Sequence, residues 1–195
     1  MTWPSLRSGN RVVVSDSSPL IHLARIGRLG LLEKIFGEVV IPPAVYREVI
    51  EEGKGKPGWE ELSTAKWLRV MEIKKNQALK QSLLVYIDEG EAEAIALANE
   101  IHADLLLLDE REARILAKKL GLRVTGTIGI LLKAKKKHLI KNLKHELEKL
   151  KTTGFRISPN LEQEALKKAG ETQNKTKNEQ NRTKNSTKST HRTTP

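Results

Sequence analysis

Four acidic residues, Asp16, Glu48, Glu91 and Asp109, stand where an α/β fold would bring their carboxylates to one pocket. They are separated by 32, 43 and 18 residues, so no local motif joins them and only the ends of strands and helices can. Asp16 ends the apolar run RVVVSD and Asp109 ends ADLLLLD. Such runs read as buried parallel strands, and sheets of that kind bind ligands beyond the carboxyl ends of their strands. Carboxylates gathered there repel one another unless a cation joins them, and Mg²⁺ or Mn²⁺ takes oxygen ligands. The chemistry this permits is phosphodiester hydrolysis, in which one or two divalent ions neutralise the scissile phosphate and make hydroxide available at neutral pH. The expected catalytic and metal-binding set is Asp16, Glu48, Glu91 and Asp109.

Each acid also has a purely structural role open to it. Asp16 precedes Ser17, Ser18 and Pro19 and suits a helix cap. Glu48 fits the outer face of an amphipathic helix. Glu91 fits a helix start through the macrodipole, as do Asp88 and Glu89, while Glu93 should point away from Glu91. Asp109 could cap a helix beginning near Glu110. Weaker candidates for substrate contact are Ser17, Thr125 and Thr127 in VTGTIG, and Arg111 with its neighbour Arg114. Local capping and surface ion pairing are the competing roles for these residues. The five histidines show no metal-ligand spacing, and none is assigned to catalysis.

The elements that must position the acids follow from the hydropathy pattern. Short apolar runs alternate with amphipathic stretches from Val12 to about Lys135, the pattern of a parallel sheet covered on both faces. Five strands are expected, near 11–15, 38–41, 68–72, 104–108 and 122–125. IPPAVYREVIEE starts a helix, with Pro42 and Pro43 in its first turn and Glu48 inside it. EGEAEAIALANEIHA forms another, with Glu91 in its first turn and Ala94, Ile95, Ala98 and Ile101 on one side. EEGKGKPGWEE reads as an exposed loop, and residues 139–152 and 159–169 as two terminal helices. The expected division is an N-terminal extension over 1–10, one domain over 11–170, and a disordered polar basic tail over 171–195. That tail lacks apolar residues entirely.

Composition narrows the partners. No cysteine occurs, so disulfides, thiol nucleophiles and thiolate metal sites are excluded. The N-terminus has no apolar signal core and no run is long enough to span a bilayer, which places the expected protein in the cytoplasm without a membrane partner. The net charge of +11 favours a polyanionic partner such as nucleic acid. Eight lysines against Glu146 and Glu148 between Lys133 and Lys151 offer either a phosphate-facing surface or a solvated helix face. Aspartyl phosphotransfer is disfavoured, because Asp16-Ser17-Ser18 lacks a second aspartate two positions later.

With these residues in view, the chain resembles a PIN-domain ribonuclease of the VapC-type, toxin-like branch. VVVSDSSPLI, IPPAVYREV, DEGEAEAIALA, LLLLDEREAR and VTGTIGILLKAKKKHLI carry the resemblance, in that order, from about Arg11 to Gly170. It implies a three-layer α/β/α fold, a central parallel sheet in strand order 3-2-1-4-5, and an acidic Mg²⁺ or Mn²⁺ pocket. Asp16 matches the aspartate of the first strand, Glu48 the glutamate after the second, and Glu91 the acid opening the helix before the fourth. Asp109 matches the aspartate ending the fourth strand. Many relatives carry aspartate at the third of these positions, where this chain has the longer Glu91. The resemblance further implies an endoribonuclease, a homodimer and, for a toxin, an antitoxin partner. A non-catalytic RNA-binding or regulatory PIN-like module is the alternative.

Overall fold

The computed structural model describes residues 11–171. The expected N-terminal extension lies outside the described residues, as does the expected tail apart from Glu171. The apolar runs form five strands, β1 (Val13–Ser15), β2 (Val39–Ile41), β3 (Leu68–Val70), β4 (Leu105–Leu107) and β5 (Val124–Thr125). All pair in parallel, in the order β3-β2-β1-β4-β5. Parallel neighbours need crossovers, and the intervening segments supply them as helices. These are α1 (Ser17–Arg25), α2 (Leu31–Phe36), α3 (Pro43–Tyr46), α4 (Trp59–Ser63), α5 (Gln77–Leu83), α6 (Glu89–Glu100), α7 (Arg111–Lys119), α8 (Thr127–Lys136), α9 (Leu143–Thr152) and α10 (Pro159–Lys168). α3 runs directly into a wider, π-wound turn, Arg47–Glu51.

Two-residue alternation along the strands sorts the core into two halves. Val13, Val39, Ile41 and Leu107 face the side covered by α1, α2, α8 and α9. Val14, Val40, Leu106 and Leu108 face α5, α6 and α7. The result is a three-layer α/β/α fold. Within it α6 is buried through two full turns, from Glu91 to Ala98, rather than along one side. A helix apolar on nearly every side belongs between layers, and its alanines allow backbone to approach sheet closely.

Two stretches differ from the sequence reading. The helix expected over 139–152 begins only at Leu143, because Asn142 caps it by accepting from His145 N at 2.9 Å and His138 holds a left-handed φ of 58° at the end of α8. Of EEGKGKPGWEE, Glu51 closes the π-wound turn and only 52–58 is a succession of turns, after which Trp59 opens α4. Its indole nitrogen donates to Ile50 O at 2.7 Å, which ties the loop back to the π-wound turn. Gly58, at φ 83°, lies against Ala24 so closely that no side chain fits there.

Candidate functional site

β1 and β4 are neighbours in register, Ser15 opposite Leu107, and the chain order reverses between them. Ligand sites of open parallel sheets form at such a switch point. Asp16 follows β1 at once, its N–H donating to Leu107 O at 3.0 Å and so extending the ladder by one bond. It is also the N-cap of α1, its Oδ2 accepting from Ser18 N at 3.2 Å. The carboxylate is 1% exposed, and burial, augmented by the charge of Glu48, pushes its pKa up to about 6. Capping therefore coexists with a buried carboxylate that has no basic side chain within ion-pair distance among the described residues.

Glu48 arrives from the π-wound turn after β2. π-wound turns widen a helix locally and recur at functional sites. Gly90 in α6 marks where Glu48 and Asp16 meet. A β-carbon on Gly90 would stand 3.3 Å from Asp16 Oδ1 and 3.5 Å from Glu48 Oε2, so both oxygens converge on one small space. Glu91 comes next on α6 and is 8% exposed. Burial raises its pKa to about 7, helped by the charges of Asp16, Glu110 and Asp88, against an opposing bond from Asp88 N. That bond, at 3.4 Å, closes a capping box with Asp88, so Glu91 performs the helix-start role as well.

Asp109 sits in different company. Its Oδ1 accepts from Thr127 N at 2.8 Å, and its Oδ2 accepts from Thr127 Oγ1 at 2.6 Å and lies 3.0 Å from His22 Nδ1. It thus anchors the first turn of α8, not α7, whose N-cap is Glu110. Gly126 is pressed against Asp109 Oδ1 and Arg114, and Arg114 donates to Leu108 O at 2.8 Å. Among the described residues, no three His, Asp or Glu side chains close into a ready metal cage.

The weaker candidates divide. Thr127 is fully buried and belongs to Asp109, and Ser17 is buried at the start of α1. Thr125 ends β5 and lines a cavity beside Asp109. Arg111 opens α7 and is exposed, whereas Arg114, one turn on, lines this cavity. Glu93 points away from Glu91 as expected, but to a purpose: it accepts from Ala44 N at 2.8 Å and binds Lys80 Nζ at 2.6 Å, clamping α3 and α5 to α6. Sequence reasoning missed His22 and Glu110. His22 lies 87 residues from Asp109, and no spacing signals the contact. Glu110, next to an assigned acid, carried a signal in its position alone.

A parallel five-stranded sheet between two helical layers, with Asp16 and Glu48 meeting beside Gly90, sets the fold class. The chain belongs to the PIN-domain family: the DUF3368 PIN-domain family model matches residues 12–171. No curated protein matches the chain. Among the described residues, no helix is long and apolar enough to cross a membrane.

Proposed function

We propose that this PIN-domain protein is a Mg²⁺- or Mn²⁺-dependent endoribonuclease, with Asp16, Glu48, Glu91 and Asp109 as its site. The observation that carries the reading is the pair of buried carboxylates, Asp16 and Glu91, raised to about 6 and about 7 with Glu48 beside them. Buried like charges are costly, and a bound cation removes the cost. The donors are all oxygen, which suits a hard divalent ion, and Gly90 leaves the space between Asp16 and Glu48 open. Asp16, Glu48 and Glu91 would hold the ion, with Asp109 completing the set beside β4.

A bound ion would supply charge neutralisation on the scissile phosphate and a more acidic water. The chain supplies the rest. One of these carboxylates would also orient the attacking water. Asp109, fixed by Thr127 and His22, holds the α8 end of the pocket in one geometry. The narrower form of the proposal, a VapC-type toxin acting as a homodimer and silenced by an antitoxin, rests on the sequence resemblance.

The test compares wild type with Asp16→Asn on structured and single-stranded RNAs, with Mg²⁺, Mn²⁺ or EDTA. Cleavage that requires the metal and vanishes in a folded Asp16→Asn protein is the expected result. Absence of cleavage with either metal on every RNA overturns it. A second reading, a non-catalytic RNA-binding or regulatory module, is favoured by the bonds that already occupy both oxygens of Asp109. RNA retention unaffected by Asp16→Asn, without cleavage, is its signature.

A further inference from the structure

Two cavities flank β5, the edge strand of the sheet beside Asp109. The first, of about 330 Å³, lies between Asp109, the start of α8, and α10. Arg114, Arg156 and Lys168 charge its rim, while Ile128, Leu132 and Phe155 make it apolar within. Lys168 is paired with Glu164, but Arg156 has no carboxylate partner among the described residues. Phe155 stands edge-on to His22, ring centres 4.6 Å apart, and His22 in turn holds Asp109. An aromatic and aliphatic wall is thus joined directly to the carboxylate site.

The second cavity, of about 230 Å³, shares Thr125 and Gly129 with the first, so the two adjoin. Arg11, Arg123 and Lys133 line it together with Asp104, which pairs with Arg123 at 3.9 Å, so cations outnumber the single acid. Lys133 rests over the Phe36 ring at 4.6 Å, and burial together with Arg11 and Lys137 lowers its pKa. Neither Arg11, Lys133 nor Lys137 has an acidic partner within ion-pair distance among the described residues. Cations concentrated this way call for an anion.

We infer that the adjoining cavities form one track for single-stranded RNA: the first takes a nucleotide with its base on the apolar wall, and the second takes a backbone phosphate further along the strand. The inference rests on the reading of the carboxylates as an RNA-cleaving site and names how the substrate reaches them. Single strands are held by such a combination of stacking surfaces and cationic grooves, because every base has a π-face and every link a charge. A free mononucleotide fills one cavity only. A paired duplex offers no exposed base to the apolar wall.

The experiment measures binding of fluorescein-labelled oligoribonucleotides of two and eight nucleotides by anisotropy, with the full chain in EDTA. Three exposed positions are reversed in charge: Arg156→Glu in the first cavity, Arg11→Glu in the second, and Lys54→Glu on the distant turn before α4. The track predicts that Arg156→Glu weakens both lengths about tenfold, that Arg11→Glu weakens only the octamer to that extent, and that Lys54→Glu stays within about twofold. Equal losses in all three variants, equal competition by a duplex, or wild-type binding by either cavity variant overturns it. EDTA separates this from the nuclease reading. A protein that shows the pattern but never cleaves keeps the track and loses the enzyme, and one that cleaves without the pattern does the reverse.

Discussion

The two sides of the pocket solve the same electrostatic problem in opposite ways. Beside β4, Asp109 has a backbone N–H, a hydroxyl and an imidazole on its two oxygens. Beside β1, Asp16 and Glu91 are more deeply buried than Asp109, yet they face Glu48, Glu110 and one another. One carboxylate is satisfied by the fold. The others are left in an arrangement that the fold alone does not reward. Strain of this kind concentrates at functional sites, where a ligand relieves it. The contrast separates residues that build the pocket from residues that await something within it.

The largest effect expected from breaking the contrast is Asp16→Asn. Asparagine caps a helix as well as aspartate does, so α1 should persist while the charge is lost. RNA cleavage in Mg²⁺ or Mn²⁺ should fall about a thousandfold or more. Thermal melting in EDTA at pH 8 should show a midpoint no lower than that of wild type. A large drop in that midpoint would mean that the Asp16 charge stabilises the fold, contrary to the argument.

Next comes the pH dependence. Asp16 and Glu91 bind protons more tightly in the folded chain than in the unfolded one, where their values lie near 3.8 and 4.5. Between those values and about 6 to 7 the folded state carries the excess protons, so stability of the metal-free protein falls as pH rises through that window. For Asp16 the loss amounts to about 3 kcal/mol at most. A divalent ion should therefore raise the melting midpoint more at pH 8 than at pH 5. Equal shifts at both pH values would sink the coupling.

On the satisfied side, Thr127→Val removes the hydroxyl donor from Asp109 in a fully buried place. Urea unfolding should report a loss of about 1–3 kcal/mol, because a buried acceptor is left short of a partner. The smallest effect belongs to His22→Ala, which removes a partly buried contact to Asp109. Stability should drop by about 1 kcal/mol, and cleavage by about tenfold or less. An effect as large as that of Asp16→Asn would move His22 from support into the chemistry.

The sequence displays where the strands end far better than the bonds that join them. VVVSD and LLLLD place Asp16 and Asp109 at strand ends because hydropathy marks where buried strands stop, and all five observed strands fall inside the expected stretches. Parallel pairing follows from the alternation of strands with helices, but the order 3-2-1-4-5 came from resemblance. Bonds across the chain are another matter. His22 to Asp109, Arg114 to Leu108 O and the Lys80–Glu93–Ala44 clamp depend on rotamers and on where helices cross, which no periodicity encodes. Glu91 shows the limit well. Its type and position suggested both a helix start and a metal ligand, and the structure gives it the first role while leaving its charge uncompensated.

Glu171 opens the polar stretch 171–195, which has no apolar residue. Its carboxylate nevertheless receives the N–H groups of Leu143 and Lys144 at 2.8 and 2.9 Å and pairs with Lys135 at 2.7 Å. Against the upward push of burial, these partners hold its pKa below the ordinary value. The last described residue is therefore a latch across the start of α9, and a chain ending at Gly170 would lose it. At this end the fold is tied by one charge as well as by its apolar core.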